Sequence, residues 1–320
     1  MKIGCFSVLF GDKPLKDALK IIKNIGCEMV EIGTGNYPGN AHCNPETLLS
    51  NSAALDTFKQ TIKDSGLEIS ALSCHGNPIH PNKKIAADHT RVHEATVKLA
   101  SKLGVDTVIG FPGCPGADKD ATIPAWQIVA WPDDFAKSLE WQWNEVVIPF
   151  WQKQGKMAAD MNIKLAFEPH PGFVVYNCET MMKLRNACGK NIGANFDPSH
   201  LFWQGMDPIQ CVRLLKDAIF HVHAKDSKVD PINTVVNGVL DAKPYGKEID
   251  RSWIFRTVGY GHDLLWWKDF VSALRLVGYD KVLSIEHEDS LMAMEEGLSK
   301  AFTTLKDAVI SKKPGEMFWA

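Results

Sequence analysis

Four ionisable residues end short apolar segments of this chain, and their types are those that bind metal ions. Glu168, Asp197, His223 and Glu286 close the segments IKLAFE, NIGANFD, AIFHVH and KVLSIE. Side chains alternate between the two faces of a strand, so each of the four shares a face with the less apolar members of its segment. An ionisable side chain there is costly unless it is ion-paired or bound to a metal. Each residue is therefore either an ion-pair partner or part of a reactive site.

Taken together, the three carboxylates and the imidazole indicate a cation. Like charges disfavour each other's ionisation, so three carboxylates converge on one point only around a positive charge. One imidazole with three carboxylates suits a divalent metal of the Mn, Mg, Co or Zn type. The spacing therefore predicts a metal-assisted reaction, provided that the fold brings the four strand ends together.

The elements that carry these residues alternate between strand and helix along the whole chain. Helices that end at a glycine precede several strands. The predicted helices over Leu15–Ile25, Pro45–Ser65 and Ala86–Leu103 stop at Gly26, Gly66 and Gly104. This pattern is typical of βα units around a parallel sheet. Eight strands and eight helices predict a (β/α)8 TIM barrel, an α/β fold, as one domain over residues 1–320. A doubly wound sheet would have fewer strands, and no GxGxxG follows the first one. The predicted strands are Lys2–Val8, Cys27–Ile32, Leu67–Cys74, Val105–Phe111, Ile163–Glu168, Asn191–Asp197, Ala218–His223 and Lys281–Glu286. In such a barrel the carboxyl ends of the strands form the mouth of the active site.

Two regions depart from the regular βα rhythm. Residues 117–161 hold five of the ten Trp residues and predict a helix over Pro132–Met161. These Trp side chains either pack a long helix into the core, or two of them, Trp126 and Trp131, wall a pocket at the mouth. Residues 224–263 have little periodicity and predict a long loop, which is usually functional in a compact domain. Its Arg251 and Arg256 either bind a phosphate or carboxylate or form surface ion pairs.

The barrel pattern and five motifs resemble the xylose isomerase-like superfamily of sugar isomerases and epimerases. The motifs are FEPHP at 167–171, NFDPSH at 195–200, HVHAKD at 221–226, VGYGH at 258–262 and SIEHED at 284–289. The resemblance implies that Glu168, Asp197, His223 and Glu286 are metal ligands and that His200 contacts substrate. It implies one divalent metal ion, with Mn²⁺ the first expectation and Mg²⁺, Co²⁺ or Zn²⁺ as alternatives. Ketose 3-epimerases usually carry a substrate-binding Arg shortly after the metal His, whereas this chain offers Lys225.

The resemblance implies an enzyme that acts on a small-molecule sugar or polyol ketone by metal-stabilised enediolate chemistry. Glu168 and Glu286 are expected to approach the substrate from opposite faces, one removing a proton and the other returning one. Epimerisation, isomerisation and dehydration all begin with this step. A keto-inositol dehydratase or a keto-glycoside lyase of the same superfamily is therefore the alternative. Substrate contacts are expected from four residues near the mouth: His75, His200, Lys225 and Glu31, the last of which could instead support a ligand.

Two further classes of protein share this barrel fold. Apurinic-site endonucleases resemble the chain in the Glu and Asp-x-x-His elements, but they use a three-zinc cluster and an Asp-x-His pair in the late loop. Here that loop reads Gly-His-Asp at 261–263, and the formal charge of −3 does not predict a nucleic-acid partner. A non-catalytic sugar-binding barrel is the other class.

The composition indicates the kind of protein and the environment in which it works. The 320 residues are 45% hydrophobic and 23% charged, as in an ordinary globular protein. The eight Cys residues form no CxxC pair, so we expect a reduced, cytoplasmic setting. No segment approaches the roughly 20 apolar residues of a membrane helix, so no membrane partner is expected. Trp266 and Trp267 are expected to be exposed and so to indicate a homo-oligomer interface or a closed lid.

Overall fold

The predicted alternation of strand and helix is present in the structure, a computed structural model that describes residues 1–313, 315–317 and 319. The strands are β1 Lys2–Phe6, β2 Met29–Gly33, β3 Glu68–Ser73, β4 Thr107–Gly110, β5 Lys164–Phe167, β6 Ile192–Phe196, β7 Ile219–Ala224, β8 Asp226–Val229, β9 Trp253–Arg256 and β10 Val282–Ile285. The helices are α1 Leu15–Ile25, α2 Pro45–Ser50, α3 Ser52–Ser65, α4 Lys83–Leu103, α5 Asp133–Trp141, α6 Ile148–Asp160, α7 Cys178–Cys188, α8 Ser199–Phe202, α9 Pro208–Leu215, α10 Pro231–Asn237, α11 Leu264–Leu276 and α12 Met294–Ala308.

Eight parallel strands close into a barrel, as the sequence predicts. Their order around the barrel is β1-β10-β7-β6-β5-β4-β3-β2, with β1 and β2 completing the ring. The glycines that were expected to stop helices do so. Gly26, Gly66 and Gly104 end α1, α3 and α4 in the left-handed conformation, which glycine adopts without a Cβ penalty. The predicted (β/α)8 TIM barrel is confirmed.

Two helices differ from the sequence prediction. A single helix over Pro45–Ser65 is wrong, because Asn51 interrupts it. The Asn51 backbone is extended, and its side chain accepts a hydrogen bond from Ala54 N, so it caps a new helix, α3. The helix over Pro132–Met161 is continuous but contains a π-helical segment, Gln142–Val147, between α5 and α6.

Each interpretation of the Trp-rich region holds for part of it. Trp143 and Trp151 are buried in the core, and Trp151 donates a hydrogen bond to Pro112 O at 2.8 Å. Trp126 lines a cavity at the mouth of the barrel. Trp131 is 76% exposed, so the expectation that it walls the same pocket is wrong.

The region 224–263 is an ordered excursion rather than an irregular loop. Strands β8 and β9 pair antiparallel, and α10 lies between them in the chain. Arg251 is buried, with its guanidinium 4.4 Å from the ring of Tyr245 and 4.7 Å from that of Trp253, so it holds the excursion together instead of binding an anion. Arg256 pairs with Asp289 at 3.1 Å.

Trp267 is fully buried and therefore gives no support to an exposed interface, contrary to the expectation from sequence. Its neighbour Trp266 is half-buried and stacks on Phe270 at 5.2 Å between ring centroids. None of the helices in the described part of the chain has the length and apolar character needed to cross a bilayer.

Gly193 in β6 offers a test of how tightly the barrel interior is packed. A Cβ at this position would collide with Ala218 O and would lie 2.6 Å from the Phe220 ring. We therefore expect Gly193→Ala to lower the free energy of unfolding by about 1–3 kcal/mol, the usual cost of overpacking. Thermal or urea denaturation followed by circular dichroism measures it. Gly246→Ala is the matched control, because a Cβ there meets nothing within 4 Å. Equal stability of the two variants would contradict the packing.

Candidate active site

The four predicted ligand residues stand at the ends of four adjacent strands. Glu168, Asp197 and Glu286 each follow directly on β5, β6 and β10, and His223 lies near the end of β7. These strands are consecutive around the barrel, in the order β10-β7-β6-β5. One ligand atom from each residue lies within 4.8 Å of all the others. The structure thus brings together the set that the sequence predicts.

The spacing of these atoms fits a divalent cation. His223 Nδ1 lies 3.1 Å from Glu168 Oε2, 3.0 Å from Glu286 Oε2 and 4.0 Å from Asp197 Oδ2. Around a small octahedral ion with bonds of about 2.1 Å, neighbouring ligands stand about 3 Å apart and opposite ones about 4 Å apart. Within the described residues, His223 Nδ1 and Asp197 Oδ2 are buried and have no hydrogen-bond partner. Such orphaned atoms are expected of metal ligands.

Glu31 fixes the tautomer of His223 from below. Both carboxylate oxygens of Glu31 lie within 3.1 Å of His223 Nε2, which therefore donates the proton and leaves a lone pair on Nδ1. Ser73 Oγ and Ser284 Oγ donate to the same carboxylate at 2.5 and 2.8 Å. Burial alone would raise the pKa of Glu31, but His223, His221 and Ser73 outweigh it and lower the pKa to about 2.

Glu168 is held as a carboxylate by its neighbours. His75 Nε2 donates to Oε2 at 3.2 Å and Asn195 Nδ2 donates to the same oxygen at 3.0 Å, while His200 Nε2 lies 3.1 Å from Oε1. Burial opposes ionisation, yet the surrounding imidazoles of His200, His223 and His75 keep the pKa of Glu168 well below its usual range. Glu168 is thus fixed in place and ionised.

A hydrogen-bonded chain inside the barrel orients the amide of Asn195. His221 Nδ1 donates to Asn195 Oδ1 at 2.8 Å, so the Asn195 amide nitrogen faces Glu168. His221 Nε2 lies 3.3 Å from Ser70 Oγ on β3. His221 therefore lies one layer below the ligands and acts on Glu168 only through Asn195.

Lys225 supplies a positive charge on the opposite side of the cluster. Its Nζ donates to Glu286 Oε2 at 2.8 Å and to Glu288 Oε2 at 2.9 Å, and it lies 3.4 Å from Asp197 Oδ2. Lys225 also lies 4.6 Å from the ring of Phe255 in β9. Burial raises the pKa of Asp197, and although Lys225 opposes the effect, the pKa reaches about 7. Lys225 alone therefore does not keep Glu168, Asp197 and Glu286 all fully ionised.

Three of the four predicted substrate contacts lie at the mouth beside the ligands: His75, His200 and Lys225. Glu31 is fully buried and contacts His223, which places it under the ligands as a supporting group. Sequence reasoning gave no role to Asn195. Its only signal was an amide on the inward face of a strand, between Gly193 and Asp197.

An aromatic cavity of about 510 Å³ adjoins the ligand set. His170 and His200 form its inner boundary, with ring centroids 4.0 Å apart. Its outer wall comes from three separate segments and includes Trp126, Trp203 and Trp253. Sequence reasoning missed Trp203 and Trp253, whose rings stack at 4.5 Å only because the excursion folds back over the mouth.

Residues 19–308 match the family described as the xylose isomerase-like TIM barrel. The chain belongs to this family. The uncharacterized protein YfiH of Bacillus subtilis (strain 168) is 36% identical over 312 residues, which are 97% of this chain and 99% of YfiH. An inosose dehydratase of Clostridium botulinum (strain Alaska E43 / Type E3) is 30% identical over 102 residues, only 32% of this chain and 34% of that enzyme.

Two solved structures align with nearly the whole of this chain. The IOLI protein, solved with a bound zinc atom, aligns with a TM-score of 0.66 at 21% identity, over 97% of this chain and 98% of that one. A D-tagatose 3-epimerase-like protein aligns equally well, with a TM-score of 0.66 at 19% identity over 96% and 97% of the two chains. At such identities the likeness concerns the fold.

His262 and Asp263 of the late loop have structural roles here, whereas in an endonuclease the residues of this loop would bind zinc. His262 Nδ1 donates to Asp226 at 2.7 Å, and its ring stacks on Phe202 at 3.6 Å. Asp263 caps α11 by accepting from Trp266 N at 2.9 Å. Neither side chain belongs to a group of described residues that could hold a metal ion.

The support that Glu31 gives to His223 can be measured as metal affinity. We expect Glu31→Gln to weaken binding of Mn²⁺ or Zn²⁺ by about 10–100-fold, because the amide no longer fixes the His223 tautomer as the carboxylate does. Isothermal titration calorimetry of the metal-stripped protein measures the change. Glu94→Gln is the control, since Glu94 is a half-buried carboxylate on α4 that accepts from Gln154 away from the site. An unchanged affinity in Glu31→Gln would rule out the supporting role.

Proposed function

We propose that this protein is a divalent-metal-dependent isomerase or epimerase of a sugar or polyol ketone. The observation that carries the proposal is the pair of carboxylates at the mouth. Glu168 and Glu286 come from the outer two of four adjacent strands, β5 and β10, and both approach His223 Nδ1. Two fixed bases on either side of a metal-type site suit removal of a proton from one face of a carbon and its return on the other.

The ligands of the metal would be Glu168, Asp197, His223 and Glu286. A divalent ion held there would polarise a carbonyl and a neighbouring hydroxyl, which lowers the pKa of the adjacent C–H and stabilises the enediolate. Zinc in the IOLI structure supports the choice of a divalent ion, and the carboxylate-rich set here suits Mn²⁺.

Glu168 is the better candidate for the first proton abstraction. His75 and Asn195 donate to one of its oxygens and keep it ionised, while Oε1 faces His200 at the edge of the cavity. His200 would hold a substrate hydroxyl. Glu286 accepts from Lys225, and this ammonium would help to deliver a proton to the opposite face or orient a hydroxyl there.

Dehydration is the second candidate reaction. A local sequence match favours it, since a segment of this chain is 30% identical to a protein named inosose dehydratase. The same abstraction by Glu168 would be followed by loss of a β-hydroxyl, for which His200 or Lys225 would supply the proton. Product analysis separates the candidates, because dehydration removes one water and epimerisation conserves mass.

The role of Glu168 is tested by exchange of the substrate C–H with solvent deuterium. We expect the wild type with Mn²⁺ to incorporate deuterium into its substrate within a panel of ketoses, keto-inositols and keto-glycosides. Glu168→Gln should lower the rate at least about 10²-fold, the contribution of a positioned base. Mass spectrometry or proton NMR follows the exchange. Metal content is measured on the same sample, because Glu168 is also a proposed ligand.

Glu286→Gln and Glu94→Gln complete the test. With metal retained, Glu286→Gln should still exchange the proton through Glu168 but form little epimer. Glu94→Gln should behave as the wild type. Undiminished exchange in a metal-loaded Glu168→Gln variant would remove Glu168 as the base.

Metal dependence is a separate prediction. Removal of the metal with a chelator should abolish turnover, and Mn²⁺ should restore it, with about one ion per chain because one four-residue set surrounds one position. Elemental analysis and activity after dialysis measure both. Three zinc ions per chain would favour the nuclease class, and full activity in chelator would refute metal dependence.

A further inference from the structure

An exposed apolar surface borders the aromatic cavity at the mouth of the barrel. Helix α10 buries none of its seven residues, all of which the structure describes. Large apolar side chains on α10, on the segment that follows it and on the loop before α5 are each at least 68% exposed: Ile232, Val235, Val236, Leu240, Ile249 and Trp131. These six residues are called the apolar patch below. Apolar surface of this extent marks an interaction site, whereas single exposed apolar residues do not.

The two parts of the apolar patch meet at the cavity. Asn233 Nδ2 of α10 donates to Ile249 O at 2.8 Å, so α10 lies against the segment that carries Ile249. Leu240 and Tyr245 line the cavity from the excursion, and Ile128, three residues before Trp131, lines it from the loop before α5. A body bound to the apolar patch would therefore lie over the cavity.

The area of this surface suits a protein partner. A standard interface buries about 800 Å² on each partner, of which roughly 60% is apolar, so it needs about 500 Å² of apolar surface per chain. The six residues of the apolar patch, with Ile128 and Tyr245 beside them, supply about 300–700 Å² at their observed exposures, since a side chain of this size carries roughly 60–120 Å² of apolar surface. The surface is thus large enough for a stable dimer.

The charges within and beside the apolar patch favour a second copy of this chain as the partner. Residues 121–132 and 231–240 contain no Asp, Glu, Lys, Arg or His. Two copies of this surface therefore meet without like-charge repulsion, and an anionic membrane, which attracts Lys and Arg, gains nothing from it. Exposed Lys247 and Asp250 stand on either side of Ile249 in the chain. About a two-fold axis, residue i meets residue j and j meets i, so Lys247 of each copy can face Asp250 of the other.

We propose that the apolar patch is the interface of a two-fold dimer of this chain, in which each copy covers the aromatic cavity of the other. Leu240 and Tyr245, which line the cavity and are exposed in the single chain, become enclosed on dimerisation. The outer wall of the cavity is thus completed by the second copy. This proposal concerns assembly and does not depend on the reaction proposed above.

Sedimentation velocity of the purified full chain over a dilution series tests the interface. We expect the wild type to have the mass of two chains at about 100 µM, a hundredfold above a micromolar Kd. Val235→Glu should weaken dimerisation at least about 25-fold, because the two-fold axis buries one unpaired carboxylate from each copy. Leu276→Glu is the matched control and should remain dimeric. Leu276 is 79% exposed, but it ends α11 on the opposite face of the barrel, where β10 begins.

An exchange of charges tests the two-fold pairing. Lys247→Asp alone and Asp250→Lys alone each bring like charges together and should weaken dimerisation about tenfold. An equimolar mixture of these two variants should dimerise as the wild type does. In the mixed dimer the two acidic side chains of one copy face the two basic side chains of the other, which a partner of different sequence would not reproduce.

Four outcomes would overturn the proposal. They are the mass of a single chain at about 100 µM, a dimer that Val235→Glu leaves intact, a charge-exchange mixture that stays monomeric, and binding to neutral phosphatidylcholine vesicles in place of dimerisation. Circular dichroism checks that each variant is folded, which is expected because Val235, Lys247 and Asp250 are all exposed. None of these measurements needs a substrate, so their failure would leave the proposed reaction intact.

Discussion

Three carboxylates that approach one imidazole nitrogen are the constraint on which the rest of the site depends. Glu168 and Asp197 are buried and Glu286 is half-buried, so solvent screens their mutual repulsion poorly and the barrel must supply compensation. The raised pKa of Asp197 shows where that compensation is incomplete, and burial is its principal cause. The spacing of these atoms is the one that a divalent cation at the centre would use.

The layers beneath the ligands are polar for the same reason. In most barrels of this kind the interior is filled by branched apolar side chains. Here His221, Asn195 and Glu31 occupy inward positions and bond to the ligand residues or to each other. Each buried polar atom of this layer costs free energy unless it is paired. Replacing one residue of the layer would therefore leave the hydrogen-bonding atoms of its neighbours unpaired. Its effect is to fix His223 and Glu168 in one orientation each.

The barrel and the convergence of four candidate ligand residues could be predicted from the sequence because both depend on local periodicity. Alternation within β6 alone is enough to place Asp197 on the inward face. The role of Asn195 could not be read in this way, since it depends on contacts with two neighbouring strands. The break at Asn51 was missed because an Asn inside a helical pattern can either be tolerated or act as a cap, and only the backbone decides. The excursion 224–263 shows no period because long-range stacking on Trp203 orders it.

Strand β7 and the residues directly after it connect these layers. His221, His223 and Lys225 alternate onto the inward face and lie at successive heights, in the supporting layer, at the metal position and at the mouth. Lys225 offsets part of the negative charge of the cluster, since its ammonium lies within 3.4 Å of carboxylate oxygens of Asp197, Glu286 and Glu288. An Arg at this position would present a planar fork to the same oxygens, whereas the compact ammonium lies between Glu286 and Glu288 and packs on Phe255. The absence of the usual epimerase Arg is thus linked to the excursion that supplies Phe255. In this chain, the charge balance of the carboxylate cluster therefore depends on a side chain that the excursion packs in place.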